Sequence, residues 1–176
     1  MSIADYCRSA LMGNAMNSAT QIRYAQANDI DELVGLFSRV VSPLDIYSET
    51  ARTSEIQKFS SDELARRINE DPNAVSLAFI DNKLAGFLII EDQHGPIWIH
   101  WYGVDPDFRN LGVGKAILTH LIAAAPDRKA TKIWCDTRTD NSRSISLLEK
   151  LKFGRLCEIR NHWHGQDFYL WARDVV

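Results

Sequence analysis

The chain has 176 residues, 45% of them apolar and 24% charged, with a formal net charge of −3. This length suits one domain with a sizeable core and argues against a second. The mild acidity argues against a protein whose main work is gripping nucleic acid, because phosphate binding leans on a basic surface.

The start of the chain has no charged segment followed by an apolar one, so it does not read as a secretion signal. It reads as a loose extension over residues 1–19, with a short helix around Ala4–Met12, ahead of one domain over residues 20–176. No apolar run approaches the roughly 18 residues needed to cross a membrane. Cys7, Cys135 and Cys157 are odd in number and widely spaced, which suggests neither a disulfide framework nor a zinc knuckle. Free thiols fit a reducing, cytoplasmic setting.

Gln21–Gln26 alternates weakly and predicts a first strand. Ile30, Leu33, Val34, Phe37 and Val41 then share one helical face, with Asn28 or Asp29 as cap. Residues 42–59 lack a clean period and read as a loop or broken helix. Ser60 and Glu63 form a capping-box pattern ahead of Leu64 and Ile68, and Pro72 ends that helix. Ala74–Asp92 predicts two strands turning at Asp81-Asn82. After a turn at His94–Pro96, Ile97–Val104 is a strand rich in aromatic and β-branched residues. A helix follows the glycines, burying Val113, Ile117, Leu121 and Ile122 and closing at Pro126. Thr131–Thr137 predicts a strand, Asn141–Leu151 a helix, and Gly154–Arg173 a hairpin turning near Gly165.

The predicted order is β-α-α-β-β-β-α-β-α-β-β. Ile97–Thr137 makes a β-α-β unit, so its strands should be parallel with a right-handed crossover. The three strands before Val104 should be antiparallel. The result is an α+β fold, a mixed and mostly antiparallel sheet with flanking helices.

The chemistry concentrates at Arg109-Asn110-Leu111-Gly112-Val113-Gly114-Lys115, between a strand and a helix. Helix N-termini offer free N–H groups at the positive end of the dipole, and glycine lets an anion approach the backbone. A Walker loop requires Ser or Thr after Gly-Lys, but Ala116 stands there. The dinucleotide fingerprint requires a small residue where Ile117 stands. What remains is Arg-x-x-Gly-x-Gly, preceded by Val104-Asp105-Pro106 and followed by a helix opening at Asn141 and ending before Phe153.

This combination resembles the acetyl-CoA-binding motif of the GNAT superfamily of acyl-CoA-dependent N-acyltransferases. The resemblance covers nearly the whole chain except its first twenty residues. It implies a sheet with a splayed parallel strand pair, and acetyl-CoA as cosubstrate. The backbone of Leu111, Gly112, Val113, Gly114 and Lys115 would hold the pyrophosphate, assisted by Arg109. The strand ending at Val104 would pair with the pantetheine arm, with Gly103 suited to the bulge that splays it. An N–H near Tyr102 would face the acyl carbonyl. Asn141 would bond the arm, cap its helix, or do both.

The implied reaction is direct acetyl transfer to a primary amine, on a small molecule or on a peptide or protein. Many family members carry a tyrosine as general acid in the last helix, where this chain has Leu148, and a glycine where it has Lys152. Tyr102 and Cys135 are the substitutes as acid. For the base, His100 lies four residues before Val104, where arylalkylamine acetyltransferases of the superfamily also carry histidine. Strand alternation puts Trp98, His100 and Tyr102 on one face unless a bulge intervenes. A histidine merely packed among aromatics is the competing reading, Glu91 is the second candidate base, and a water chain is the third route.

His162 and His164 would share a strand face, but no third metal ligand is evident, so no metal is expected. They read instead as the rim of an acceptor slot, with Trp163 and Asp167 near the substrate. In the family the loop matching Pro43–Thr53 lines the acceptor side; here it carries Asp45, Tyr47 and Glu49, which suit a cationic amine or simply solvent. The alternative function is an acyl-CoA-binding sensor with impaired catalysis. The net charge counts against an acetylator of charged tRNA. A homodimer is compatible with all of these.

Overall fold

The structure, a computed structural model, describes residues 19–175, so the expected helix at Ala4–Met12 lies outside the described residues. Its frame is a seven-stranded sheet in the order β1-β2-β3-β4-β5-β7-β6. The strands are β1 (Gln21–Tyr24), β2 (Val75–Ile80), β3 (Lys83–Asp92), β4 (Pro96–Val104), β5 (Lys132–Arg138), β6 (Gly154–Ile159) and β7 (Phe168–Asp174). Only β4 and β5 pair in parallel; every other neighbouring pair is antiparallel. Asp81 and Asn82 both take positive φ, 50° and 61°, which suits the tight turn joining β2 to β3.

Helices α1 (Ile30–Val41), α2 (Glu49–Lys58) and α3 (Ser61–Glu70) precede the central strands, while α4 (Val113–Ala124) and α5 (Ser142–Lys150) flank β5 in sequence. One core packs Leu33, Leu36, Phe37 and Val40 of α1 against Leu77, Phe87 and Ile89. The other packs Val113, Ile117, Leu118 and Leu121 of α4 and Leu148 of α5 against Leu88, Ile97, Ile99 and Ile133. Alternation along β2, β3 and β4 feeds both faces, as a sheet covered on both sides requires.

Four expectations need correction. First, residues 42–59 contain a regular helix, α2, capped by Ser48, whose side chain accepts from the Ala51 N–H at 3.2 Å. Its buried residues are Ala51 and Glu55, so the inward face has almost no apolar signature. Second, Asp29 precedes α1 but does not cap it with its side chain. Its carboxylate turns back to accept two 2.7 Å bonds from Arg23. Third, the His162–His164 stretch is not a strand but a short 3-10 turn over Trp163–Gly165. Fourth, the bulge is not at Gly103, which pairs in register with Phe87.

The bulge lies at His100. Ile90 pairs with Ile99 and Ile89 with Trp101, so His100 has no register partner. Tyr102 therefore follows Ile97 and Ile99 into the core under α4, while Trp101 packs in the core beneath α1. Trp98, His100 and Tyr102 do not share one face. Gly103 has a different duty: a Cβ there would lie 2.6 Å from the Phe87 ring and 2.9 Å from Val40.

Candidate active site

The parallel pairing of β4 and β5 runs only from Pro96↔Lys132 to Trp98↔Trp134. Beyond Trp98 the strands part, and β5 continues alone beside β7 as far as Arg138. The edge of β4 from Ile99 to Val104 is thus open to a ligand backbone. Two cavities meet at this slot, sharing Tyr47, Trp101, Tyr102, Asn141 and Ser144.

The larger cavity, of about 640 Å³, runs along the N-termini of α4 and α5. Val104, Arg109, Gly112, Val113, Gly114 and Lys115 line it. Gly112 adopts φ 82°, ψ 3° at the N-cap of α4, where no side chain caps the helix. A Cβ on Gly112 would meet nothing within 4 Å, so the loop faces open space. Gly114 differs: its Cβ would sit 3.3 Å from Leu147 and 3.5 Å from Val104, so this glycine also lets α4 approach α5 and β4. Leu111 is 59% exposed and is not among the lining residues. Arg143 and Lys150 add positive charge on the α5 side. An uncapped helix N-terminus among four basic side chains fits a polyphosphate such as the pyrophosphate of coenzyme A. The Asn141 side chain caps α5, its Oδ1 accepting from the Ser144 N–H at 3.2 Å, and Asn141 lines both cavities.

Upstream, Asp105 braces the approach to this loop. Its carboxylate accepts from Arg39 at 3.0 and 3.2 Å and from the Asp107 N–H at 3.0 Å. That ties α1 to the turn that leads into the glycines.

The smaller cavity, of about 250 Å³, lies on the other side of the slot, and aromatic rings form much of its wall. Tyr47 meets Trp101, Trp163 and Phe168, with ring centroids 5.9, 6.1 and 6.5 Å apart. Arg52 fixes the Tyr47 loop by donating to the Leu44 and Tyr47 carbonyls at 3.0 and 2.7 Å. Gln166 bridges the two loops over the cavity, donating to the Ile46 carbonyl at 3.3 Å.

Groups able to exchange protons line this cavity, among them His100, Asp136, Tyr102 and Glu55. His100 Nε2 lies 2.7 Å from Glu91 Oε2. Burial lowers the His100 pKa below its usual value, against the opposing pull of the Glu91 hydrogen bond. The bond to His100 in turn holds the Glu91 carboxyl below its ordinary range. A neutral imidazole beside a carboxylate must donate from Nε2, which leaves Nδ1 with its lone pair free. Glu91 does not line the cavity and touches it only through its contact with His100.

Asp136 is a site residue that sequence reasoning missed. It is two residues past Trp134, as His100 is two past Trp98, and Trp98↔Trp134 is the last register pair before the strands part. Burial pushes its carboxyl up, with His162 Nε2 opposing at 3.6 Å. A carboxylate mid-strand, where β-propensity disfavours it, was the available signal.

Tyr102 buries its hydroxyl with no hydrogen-bond partner of ordinary geometry. Burial pushes that hydroxyl far up, so it stays protonated and a donor. Leu148, where the family's tyrosine would stand, is fully buried in the core. Cys135 is also core, and its thiol is likewise pushed up by burial. Of the two substitute acids, only Tyr102 opens onto both cavities.

Other sequence candidates separate cleanly. Tyr47, His162 and Trp163 line the smaller cavity. Asp45 and Glu49 are exposed and line neither cavity. Asp167 accepts from the Asn161 N–H at 2.8 Å and shapes the turn. His164 stacks edge-on against Trp163 at 4.3 Å instead of joining His162.

The sequence model of the Acetyltransferase (GNAT) family matches residues 41–153, which contain the cradle, the slot and the helix opening at Asn141. The chain belongs to the GNAT acetyltransferase family. It is 31% identical over 87 residues to the [ribosomal protein bS18]-alanine N-acetyltransferase of Escherichia coli strain K12, covering 49% of this chain. The chain spans 59% of the length of that relative. Among solved structures, the fold resembles Ard1 from Thermoplasma volcanium (TM-score 0.72, 20% identity, covering 90% of this chain and 99% of that one). It also resembles a PaiA N-acetyltransferase from Thermoplasma acidophilum in complex with coenzyme A (TM-score 0.74, 18% identity, covering 89% and 99%). Among the described residues, no helix is long and apolar enough to cross a membrane.

Proposed function

We propose that this GNAT protein is an N-acetyltransferase that uses acetyl-CoA and acts on a primary amine of a small molecule, peptide or protein. The observation that carries the reading is the junction at Tyr102, Asn141 and Ser144. There a basic cradle opens into an aromatic cavity that holds proton-accepting groups. The matching relative named for acetylating an alanine of a ribosomal protein supports a peptide or protein amine as one acceptor class. Free thiols at Cys135 and Cys157 suit a reducing cytoplasm.

Acetyl-CoA bound in the larger cavity would supply the acetyl group as a thioester. The N–H groups of Val113, Gly114 and Lys115 and the charges of Arg109 and Lys115 would hold its phosphates. The open edge of β4, ending at Val104, would align the arm, and an N–H near Tyr102 would stabilise the developing oxyanion. His100, through Nδ1, would take the proton that an ammonium must lose before its nitrogen can attack, with Glu91 holding the tautomer. Asp136, across the slot, is the second candidate for that role, favoured by its burial and raised pKa. As the carbon–nitrogen bond forms and the carbon–sulfur bond breaks, Tyr102 would give its proton to the departing sulfur. The nitrogen, cationic once bonded to carbon, sheds a second proton; of the two protons the acceptor loses, one returns to Tyr102 by way of the base and water and the other passes to solvent.

The test is to mix the protein with acetyl-CoA and a panel of amines and follow thiol release. Turnover on at least one amine supports the enzyme. Tight acetyl-CoA binding with no turnover on any amine would favour an acyl-CoA sensor, the reading that the loss of the usual tyrosine at Leu148 motivates.

A further inference from the structure

Glu55 is a carboxyl group in the smaller cavity that the proposed chemistry leaves unused. Its residue is 7% exposed, on the inward face of a helix with almost no apolar side chains. One carboxylate oxygen accepts from the Trp101 indole N–H. The other has only Lys58, whose Nζ is 3.9 Å away and whose side chain is half exposed. Burying a carboxylate is costly unless it is well paired. The indole bond satisfies one oxygen, and the distant, half-exposed ammonium leaves the other open to a cation in the cavity.

The surroundings favour a cation. Tyr47 and Trp101 stand beside Glu55 on the same cavity, and aromatic faces attract cations. Glu55 and Asp136 both act electrostatically on Tyr47, and Glu55 acts on Asp136, so the carboxylates sense each other across the cavity. On the same cavity the Tyr102 hydroxyl, buried without a hydrogen-bond partner, and His100 mark where the reacting amine belongs. The cavity therefore offers groups suited to the reaction and a separate carboxylate suited to a positive charge that does not react.

We propose that the preferred acceptor carries two cationic centres, one amine that is acetylated near His100 and Asp136 and a second held by Glu55 between Tyr47 and Trp101. This rests on the acetyltransferase reading above and narrows its acceptor to dicationic amines. Two sources share that chemistry: a small diamine, and a peptide with a basic residue next to its N-terminus.

The experiment compares kcat/KM for 1,4-diaminobutane against butylamine, and for a tetrapeptide beginning Ala-Lys against one beginning Ala-Ala, in the wild type and in Glu55→Gln. A charge-assisted contact of this kind is expected to favour one dicationic acceptor by about tenfold or more over its monocationic partner. In Glu55→Gln that ratio is expected to fall to within about twofold. The arm that shows the ratio identifies the source. Ratios near one in both wild-type arms overturn the proposal without needing the variant, and so does a preference that survives in Glu55→Gln. Turnover of monoamines as fast as diamines leaves the acetyltransferase reading standing while this proposal fails. Acetyl-CoA binding with no turnover on any amine removes both.

Discussion

The two cavities that meet at the slot are built by opposite means. The larger one centres on the backbone of the glycine loop and draws much of its wall from one stretch of chain, Trp101 to Lys115, with α5 opposite. The smaller one is made of side chains from α2, β4, β5 and the loops before α2 and β7. A backbone site fixes spacing, because glycines and a helix start must fall at set intervals. A side-chain site fixes only residue identity at positions far apart in the chain. The first kind of site can define a family, while the second can change from one member to the next.

The sharpest way to break this contrast is at Gly112. Asp tolerates left-handed φ better than most residues, so Gly112→Asp should fold. It would put a negative charge where the helix end draws an anion, and acetyl-CoA affinity should fall by about 100-fold or more. Calorimetry giving an unchanged Kd would show that the phosphates bind elsewhere.

On the slot itself, Tyr102→Phe removes only a hydroxyl. If that hydroxyl protonates the leaving sulfur, kcat should drop by about 100-fold while KM for acetyl-CoA holds. A loss of less than about threefold would return Tyr102 to packing.

His100→Ala probes the acceptor side. Its pKa is lowered by burial, so the imidazole is neutral at pH 7 and the wild-type rate should fall only as pH drops below about 6.5. The variant should lose about 10- to 100-fold at neutral pH, and its profile should lose that acid limb. An acid limb that persists would assign the base to Asp136, and Asp136→Asn should then remove it.

The smallest effect is expected at Glu91. Its carboxylate favours the charged imidazolium, so Glu91→Gln should move the His100 limb to lower pH. It should also free the tautomer and cost about threefold in kcat. A limb that moves upward would contradict the pairing.

The legibility of the molecule follows the same division. The mixed sheet, the parallel β4–β5 pair, the α4 core face and the Asn141 cap were readable because each rests on a local pattern. Helix α2 was hidden because Glu55 occupies a core position that periodicity expects to be apolar. Asp136 was hidden because, on a half-buried strand, it occupies the outward phase, where a polar residue attracts no notice. The bulge was hidden because nothing in Ile99-His100-Trp101 distinguishes a bulged strand from a regular one. Glu55, Asp136 and His100 all line the smaller cavity, where function competes with the pattern.

The bulge at His100 also bears on how such a pocket is acquired. An alternating strand gives one face every second side chain, but here His100 and Trp101 turn to that face in succession while Ile99 and Tyr102 keep their places on the other. The histidine behaves as an insertion, not a replacement. Excising it would close the ladder with Ile99 still opposite Ile90 and Trp101 still opposite Ile89. A one-residue insertion of this kind adds a side chain to the pocket while the ladder on either side keeps its pairing.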